Sequence, residues 1–299
     1  MSLLVVMIVV LTEFGWVTSA LAADSEPLRI LLTNDDGYDA PGIKTVHEYL
    51  VTAGHDVTLV APLTDHSSSG MRVTAWGSLN YEEQAPGVWT VDGFPADAVL
   101  VGLLHVMRDE LPDLVISGAN FGQNLGFANS SGTVGAATMA MYAGFPAVAV
   151  SVGINASEHS TDPVPYASTL GAFTGAAEFV VKLIDDLQRT RAEDGRLLAK
   201  QTILNVNYPA ARPDAVNGVR VVQSTWDRGV RIDYEETERA GQLNVRLRMV
   251  EPGDASGDDV DWQWFARGYV TISVLDGDSA AEKMMRDAVS RRLSVTGPK

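Results

Sequence analysis

Two adjacent aspartates, Asp35 and Asp36, close a short apolar run and precede Gly37. Carboxylates crowded into one site repel each other, and the usual remedy is a hard cation that takes oxygen ligands. A second polar group, Asp65-His66-Ser67-Ser68-Ser69-Gly70, follows the apolar stretch Val57–Ala61. A third, Gly118, Asn120, Gly122 and Asn124, follows Asp113–Ser117. Carboxylate, carboxamide and hydroxyl all present oxygen, a donor set that selects Mg2+ or Mn2+ over zinc. Asp-Asp-Gly by itself is most often a plain turn; three such groups, each at the end of an apolar run, carry more weight.

Ser130-Ser131-Gly132-Thr133-Val134-Gly135 leads straight into a stretch of helical character. Ser131 or Thr133 can act as its N-cap. The hydroxyls and free N–H groups of a helix start also form a cradle for an anion such as phosphate. No Gly-Lys-Ser/Thr follows, so this is not a Walker loop. A hard cation beside an anion cradle is the apparatus of phosphate-ester hydrolysis by a metal-activated water.

These groups need elements to hold them. Leu28–Leu32, Val57–Ala61, Asp113–Ser117 and Ala147–Val150 read as short buried strands. Helices are predicted from Pro41, with apolar Ile43, Val46, Leu50 and Val51, from Pro95 to His105, over Val134–Tyr142 and over Thr169–Leu187. Met71–Asp92 reads as extended strands with turns. Strands alternating with helices imply an α/β fold: a Rossmann-like, three-layer, mostly parallel sheet in which ligands gather at the carboxyl ends of the strands. After Lys200 the pattern changes. Ile203–Asn207 and Tyr269–Val274 read as strands, Val219–Val222, Arg231–Tyr234 and Leu243–Val250 as antiparallel strands, and Ala280–Leu293 as a closing helix. The expected organisation is a core over residues 28–215 and a β-rich C-terminal extension over 216–299, serving oligomerisation.

Composition sets bounds on function. The chain of 299 residues has 38 acidic and 22 basic side chains, a formal charge of −16, and no cysteine. That removes disulfides, thiolate nucleophiles and zinc–cysteine or iron–sulfur sites, and argues against a nucleic-acid surface, which needs Lys and Arg for phosphates. Residues 1–22 are expected to be a signal peptide, with an apolar run at Leu3–Leu11 and small Ala20 and Ala22 ahead of a cleavage point. The expected destination is the periplasm, or the cytoplasm if this segment is not a working signal. No Lys or Arg precedes the apolar run, which departs from the usual pattern. No later segment is expected to cross a membrane.

Leu32-Thr33-Asn34-Asp35-Asp36-Gly37, Ala40-Pro41-Gly42-Ile43, Val60-Ala61-Pro62, the run Asp113–Asn120, Asn124-Leu125-Gly126 and Ser131-Gly132-Thr133-Val134 closely resemble the SurE family of 5′/3′-nucleotidases. Weaker similarity continues through Gly93-Phe94-Pro95-Ala96-Asp97, Leu204-Asn205-Val206-Asn207-Tyr208-Pro209 and Gly268-Tyr269-Val270-Thr271-Ile272. The resemblance implies a metal-dependent phosphohydrolase acting on nucleoside monophosphates, with one divalent cation per subunit, Mg2+ or Mn2+, and a homodimer or homotetramer joined through an exchanged C-terminal element. It implies a cation held by Asp35, Asp36, Ser67 and Asn120, phosphate contacts from Asn120, Ser131, Gly132 and Thr133, and Asp35 as proton acceptor for the attacking water. Ser68 and Ser69 compete with Ser67 for its place. The linker Phe127-Ala128-Asn129-Ser130 is one residue shorter than is common in the family and lacks its acidic residue and its Tyr or His.

Other candidates read more plainly. His66 could protonate a leaving group, but a solvated loop histidine is the simpler reading. His47, His55, His105 and His159 have no metal spacing. Asp254, Asp258, Asp259 and Asp261 lack a Ca2+-loop pattern. Trp262 and Trp264, read as sharing a strand face, could stack on a base but more simply pack. The competing functions are a broad acid phosphatase or exopolyphosphatase using the same site, and a non-catalytic α/β ligand-binding domain. A phosphorylation-receiver domain is disfavoured, because the strand at Asp113–Ser117 runs into Gly118-Ala119-Asn120 rather than the Asp it would need.

Overall fold

In the computed structural model the described residues are 26–126, 128–155, 157–158, 166–224, 230–249, 259–277 and 283–292. The expected signal segment, Phe127 of the shortened linker, His159, and Asp254 and Asp258 of the acidic run lie outside them. A nine-stranded sheet runs in the order β3-β4-β2-β1-β5-β6-β7-β11-β8. Its strands are β1 (Arg29–Thr33), β2 (Asp56–Pro62), β3 (Tyr81–Ala85), β4 (Val88–Val91), β5 (Leu114–Phe121), β6 (Ala147–Val152), β7 (Thr202–Tyr208), β8 (Val219–Val221) and β11 (Val270–Asp276). A separate antiparallel hairpin pairs β9 (Val230–Glu236) with β10 (Leu243–Met249). β4, β2, β1, β5, β6 and β7 are mutually parallel, whereas β3 pairs antiparallel with β4 and β11 with β7.

The apolar runs read as strands are buried on both sides, as a parallel sheet under helices requires. On one side, α1 (Pro41–Thr52) and α4 (Ala167–Arg189) cover Ile30, Leu32, Ile116, Val148 and Val150. On the other, α2 (Pro95–Val101) and α3 (Gly132–Tyr142) cover Leu31, Val60, Val115 and Ala149. Pro41 begins α1 without needing an N–H, and Ile43, Val46 and Leu50 form its buried stripe; Val51 is exposed. The three-layer α/β arrangement is the one expected.

Several details differ from the sequence reading. The helix from Pro95 changes at Gly102 into a π-helical turn, Gly102–Val106. β8 lies parallel to β11, not antiparallel to a neighbour, and both extend the main sheet, so the boundary at residue 215 coincides with no edge of that sheet. Trp262 and Trp264 do not share a strand face: they lie in α5 (Asp261–Ala266), where residues two apart point to different sides. The closing helix α6 spans Lys283–Arg292. α4, of 23 residues, is long and apolar enough by composition to cross a bilayer, contrary to expectation, and half of its apolar window is buried in this fold.

The order of strands fixes where a ligand can sit. From β1 the chain moves outward to β2, then returns to place β5 on the other side of β1. The connections diverge between β1 and β5, which opens a crevice at their carboxyl ends. α1 can approach β5 closely because residue 42 is glycine: a Cβ there would lie 1.9 Å from Ala119 O and 2.8 Å from Phe173 Cε1. Gly42→Ala is therefore expected to destabilise the fold by about 1–3 kcal/mol. Urea denaturation checks this, and an unchanged midpoint contradicts it.

Candidate active site

β1 ends at Thr33, and the turn that follows is closed by Asn34 Nδ2 donating to Gly37 O at 2.8 Å. Gly37 has φ +99°, a conformation L side chains rarely adopt. This turn delivers Asp35 and Asp36 to the mouth of the crevice. Asp35 is only 2% exposed. Its Oδ1 accepts from Thr133 Oγ1 at 2.6 Å, and its carbonyl accepts from His66 N at 2.8 Å. Asp36 Oδ2 accepts from Phe121 N at 2.9 Å. Burial pushes the Asp35 carboxyl up, opposed by the Thr133 hydroxyl and backbone N–H. Asp36 is pushed up to about 7, first by burial and next by the charge of Asp35, against the pull of the Phe121 N–H. The two carboxylates form a site short of positive charge.

Asn120 comes from β5, where the pairing register with β6 slips between Ser117 and Asn120. Its Nδ2 donates to Gly122 O at 2.6 Å, which leaves Oδ1 as the atom suited to a cation. The sequence placed Asn120 beyond its strand; β5 in fact continues through Phe121.

α3 begins as anticipated at Ser131, whose Oγ accepts from Val134 N at 3.1 Å. The cradle does not stand open, however. Thr133 directs its hydroxyl and N–H at Asp35, and Ser131 N donates to Ala128 O. Ser131 keeps its own hydroxyl proton, and Gly132 contributes the next backbone N–H. A Cβ on Gly132 would lie 2.8 Å from both Asp35 Oδ2 and Ser69 Oγ, so glycine is what lets the three meet.

Ser69 is the residue that sequence reasoning left as an alternative. Its Oγ is buried, has no hydrogen-bond partner among the described residues, and faces the same point as Asp35 Oδ2. Ser67 is exposed, its N–H donating to Asp65 Oδ1 at 2.7 Å. The segment is held over α3 by Gly70 N donating to Ser130 O at 3.0 Å. Farther along, buried Asp97 accepts from Thr74 N, Thr74 Oγ1 and Phe94 N at 2.8–2.9 Å. His66 is half-buried and packs edge-on against Phe94, with ring centroids 5.1 Å apart.

The structure thus gathers Asp35, Asp36, Asn120, Ser131, Gly132 and Thr133 around one crevice and adds Ser69. Among the described residues no three His, Cys, Asp or Glu side chains form a metal cluster. A cation held here would take hydroxyl and carboxamide oxygens beside the two carboxylates, the donor set of a hard ion. An unpartnered buried hydroxyl, Ser69 Oγ, that shares the space over Gly132 with Asp35 Oδ2 fits such an ion. Sequence reasoning also gave no role to Asn205, Asn207 and Ser151, buried behind Asn124. The available signal was two asparagines, two residues apart, in an otherwise apolar strand.

Residues 30–230 match the family model Survival protein SurE. The chain is 33% identical over 258 residues to the 5′-nucleotidase SurE of Rhizorhabdus wittichii, spanning 84% of this chain and 94% of that protein. It is 30% identical to the 5′-nucleotidase SurE of Pseudoalteromonas atlantica over 87% of this chain and 97% of that one. The crystal structure of the SurE protein from Aquifex aeolicus superposes with a TM-score of 0.71 at 27% identity, covering 89% of this chain and all of that one.

A raised carboxyl binds a proton in the fold at pH values where the unfolded chain has released it. Stability of the metal-free protein is therefore expected to fall as pH rises from about 4 toward about 7, the window set by Asp36. Thermal melts in EDTA across that range should show Tm declining with pH. Asp36→Asn should flatten the slope, and an unchanged slope in that variant contradicts the assignment.

Proposed function

The chain belongs to the SurE family, and on that footing we propose that it is a phosphoric monoester hydrolase. In this reading it releases phosphate from nucleoside 5′-monophosphates, and 3′-monophosphates are a further substrate. The observation that carries this is the adjacent carboxylate pair at the switch point of the sheet, buried Asp35 set against the start of α3 and partly buried Asp36 against the end of β5.

We place a divalent cation, Mg2+ or Mn2+, among Asp35, Asp36, Asn120 and an oxygen of the Ser67–Ser69 segment. Ser69 is favoured within that segment because its buried, unpartnered hydroxyl and Asp35 Oδ2 both border the space over Gly132. When bound, the cation compensates the carboxylates and polarises water and a phosphoryl oxygen. The chain's own residues do the rest. Thr133 holds Asp35 Oδ1, which leaves Oδ2 to face the reacting centre and accept a proton from the attacking water. The Ser131 hydroxyl, the Gly132 N–H and the Asn120 carboxamide meet the phosphate at the positive end of α3. The −16 charge of the chain suits a single phosphate better than a long polyanion.

Two companion proposals concern the rest of the chain. Export to the periplasm rests on residues 1–22. A homo-oligomer, dimer or tetramer, rests on the β9–β10 hairpin. There Ile232, Tyr234, Leu243 and Val245 are all exposed, Tyr234 and Val245 being cross-strand partners at 63% and 64%. An apolar hairpin face left open within one chain asks for cover from another copy.

Phosphate release from 5′-AMP should require Mn2+ or Mg2+ and vanish in EDTA. Asp35→Asn should abolish turnover, a loss of about a hundredfold or more, with an unchanged circular dichroism spectrum. Metal-independent release, or a fully active variant, contradicts the proposal. A comparison of 5′-AMP, 3′-AMP and short polyphosphate separates the nucleotidase from a broad phosphatase. For the hairpin, light scattering of Tyr234→Glu/Val245→Glu should report a smaller assembly than the parent; an identical mass contradicts its role.

A further inference from the structure

Asn124 stands between Asn120 and Thr133 in the chain, outside any strand, yet both of its peptide groups are gripped from β7. Its N–H donates to Asn207 Oδ1 at 2.7 Å, and its carbonyl accepts from Asn205 Nδ2 at 3.0 Å. Asn205 and Asn207 are fully buried and lie two residues apart on one face of β7, opposite Ser273 and Thr271 of β11. Their side chains replace the backbone partners that Asn124 lacks where β5 has ended.

The pinned segment reaches the site in both directions. Backward, Gly122 O receives Asn120 Nδ2 at 2.6 Å. Forward, Asn124 Nδ2 donates to Ser151 Oγ at 2.8 Å and reaches Thr133 Oγ1 at 3.5 Å. Thr133 in turn donates to Asp35. A hydroxyl approached by an N–H donor must turn its own proton elsewhere, here toward Asp35 Oδ1. One short stretch, Gly122–Asn124, therefore bears on both the Asn120 carboxamide and the Thr133 hydroxyl; its Gly122 end is tied to β6 by Gly122 N donating to Val152 O at 2.8 Å, and its Asn124 end is gripped by β7.

We propose that Asn205 and Asn207 are positioning residues which, through Asn124, fix Asn120 and Thr133 in the geometry that holds a divalent cation at Asp35. The proposal rests on the hydrolase reading above. The two asparagines act with opposite polarity, Asn207 through its oxygen and Asn205 through its nitrogen.

The polarity supplies the test. In Asn207→Asp the acceptor for Asn124 N–H is kept; in Asn207→Leu a side chain of similar size fills the place without it. Packing alone ranks Leu at or above Asp, because a buried carboxylate is costly. Positioning ranks Asp above Leu. Mn2+ affinity by calorimetry and kcat on 5′-AMP are measured for the full chain. Asn207→Leu should weaken Mn2+ binding and lower kcat, each by about tenfold or more, with Asn207→Asp nearer the parent in both. Asn205→Leu should behave like Asn207→Leu and serves if that variant does not fold. Ser273→Ala, which removes the buried hydroxyl opposite Asn205, should change neither quantity. Parental Mn2+ affinity and kcat in a folded Leu variant, or an Asp variant no better than Leu, overturns the proposal. A parent chain that neither binds Mn2+ nor hydrolyses 5′-AMP overturns the functional reading itself, so the two failures are told apart.

Discussion

Holding two adjacent carboxylates, one buried and one partly buried, in the same few ångströms is the constraint around which this molecule is arranged. Burial and mutual repulsion both favour protonation, and Asp36 feels both. Some nearby donors work against that tendency: the Thr133 hydroxyl and N–H for Asp35, and the Phe121 N–H for Asp36. These donors do not neutralise the pair. The remaining deficit of positive charge is one that a bound cation would fill, and the acidic balance of the whole chain makes no general contribution toward filling it.

Close approach is achieved by leaving side chains out. Gly132 admits Asp35 and Ser69, Gly135 admits the backbone at Gly70, where a Cβ would lie 2.3 Å from the carbonyl oxygen, and Gly42 admits the end of β5. The small residues of α3, including Ala136, Ala137 and Ala140, let that helix settle deeply on β5 and β6. Its amino end consequently reaches the same depth as the aspartates. Rigid elements carry the chemistry, while the Asp65–Thr74 segment is fastened across them by Ser130 and Asp97.

Much of this was legible in the chain because single-sequence patterns report what is local. Apolar runs ending in Asp35, Pro62 and Asn120 announce strands and their carboxyl ends, and Ser131 announces a helix start. Pairing is not local. Nothing within Val219–Val221 says that it lies parallel to β11, and nothing within Val270–Asp276 says that it inserts antiparallel beside β7. Trp262 and Trp264 misled because alternation over three residues fits a strand or a single helical turn. Ser69 was obscured by its equals: Ser67, Ser68 and Ser69 are chemically identical, and only the turn decides which hydroxyl faces inward. Asn205 and Asn207 were visible as polar interruptions of an apolar strand, but their partner lies 81–83 positions away in the chain.

The insertion of β11 between β7 and β8 also means that the sheet closes out of chain order. When residues up to Tyr208 have emerged, the parallel strands from β4 to β7 are all available, yet the outer edge of β7 has no neighbour. That edge stays open until Val270–Asp276 appears, and an open edge invites pairing with the wrong strand. Asn205 and Asn207 belong to this last parallel strand, so the strand that grips Asn124 is completed on its far side only once Val270–Asp276 is in place. All the residues of the candidate crevice thus precede, in the chain, the strand that finishes its sheet. The edge of the strand that holds Asn124 is covered by a strand, β11, that carries none of the crevice residues.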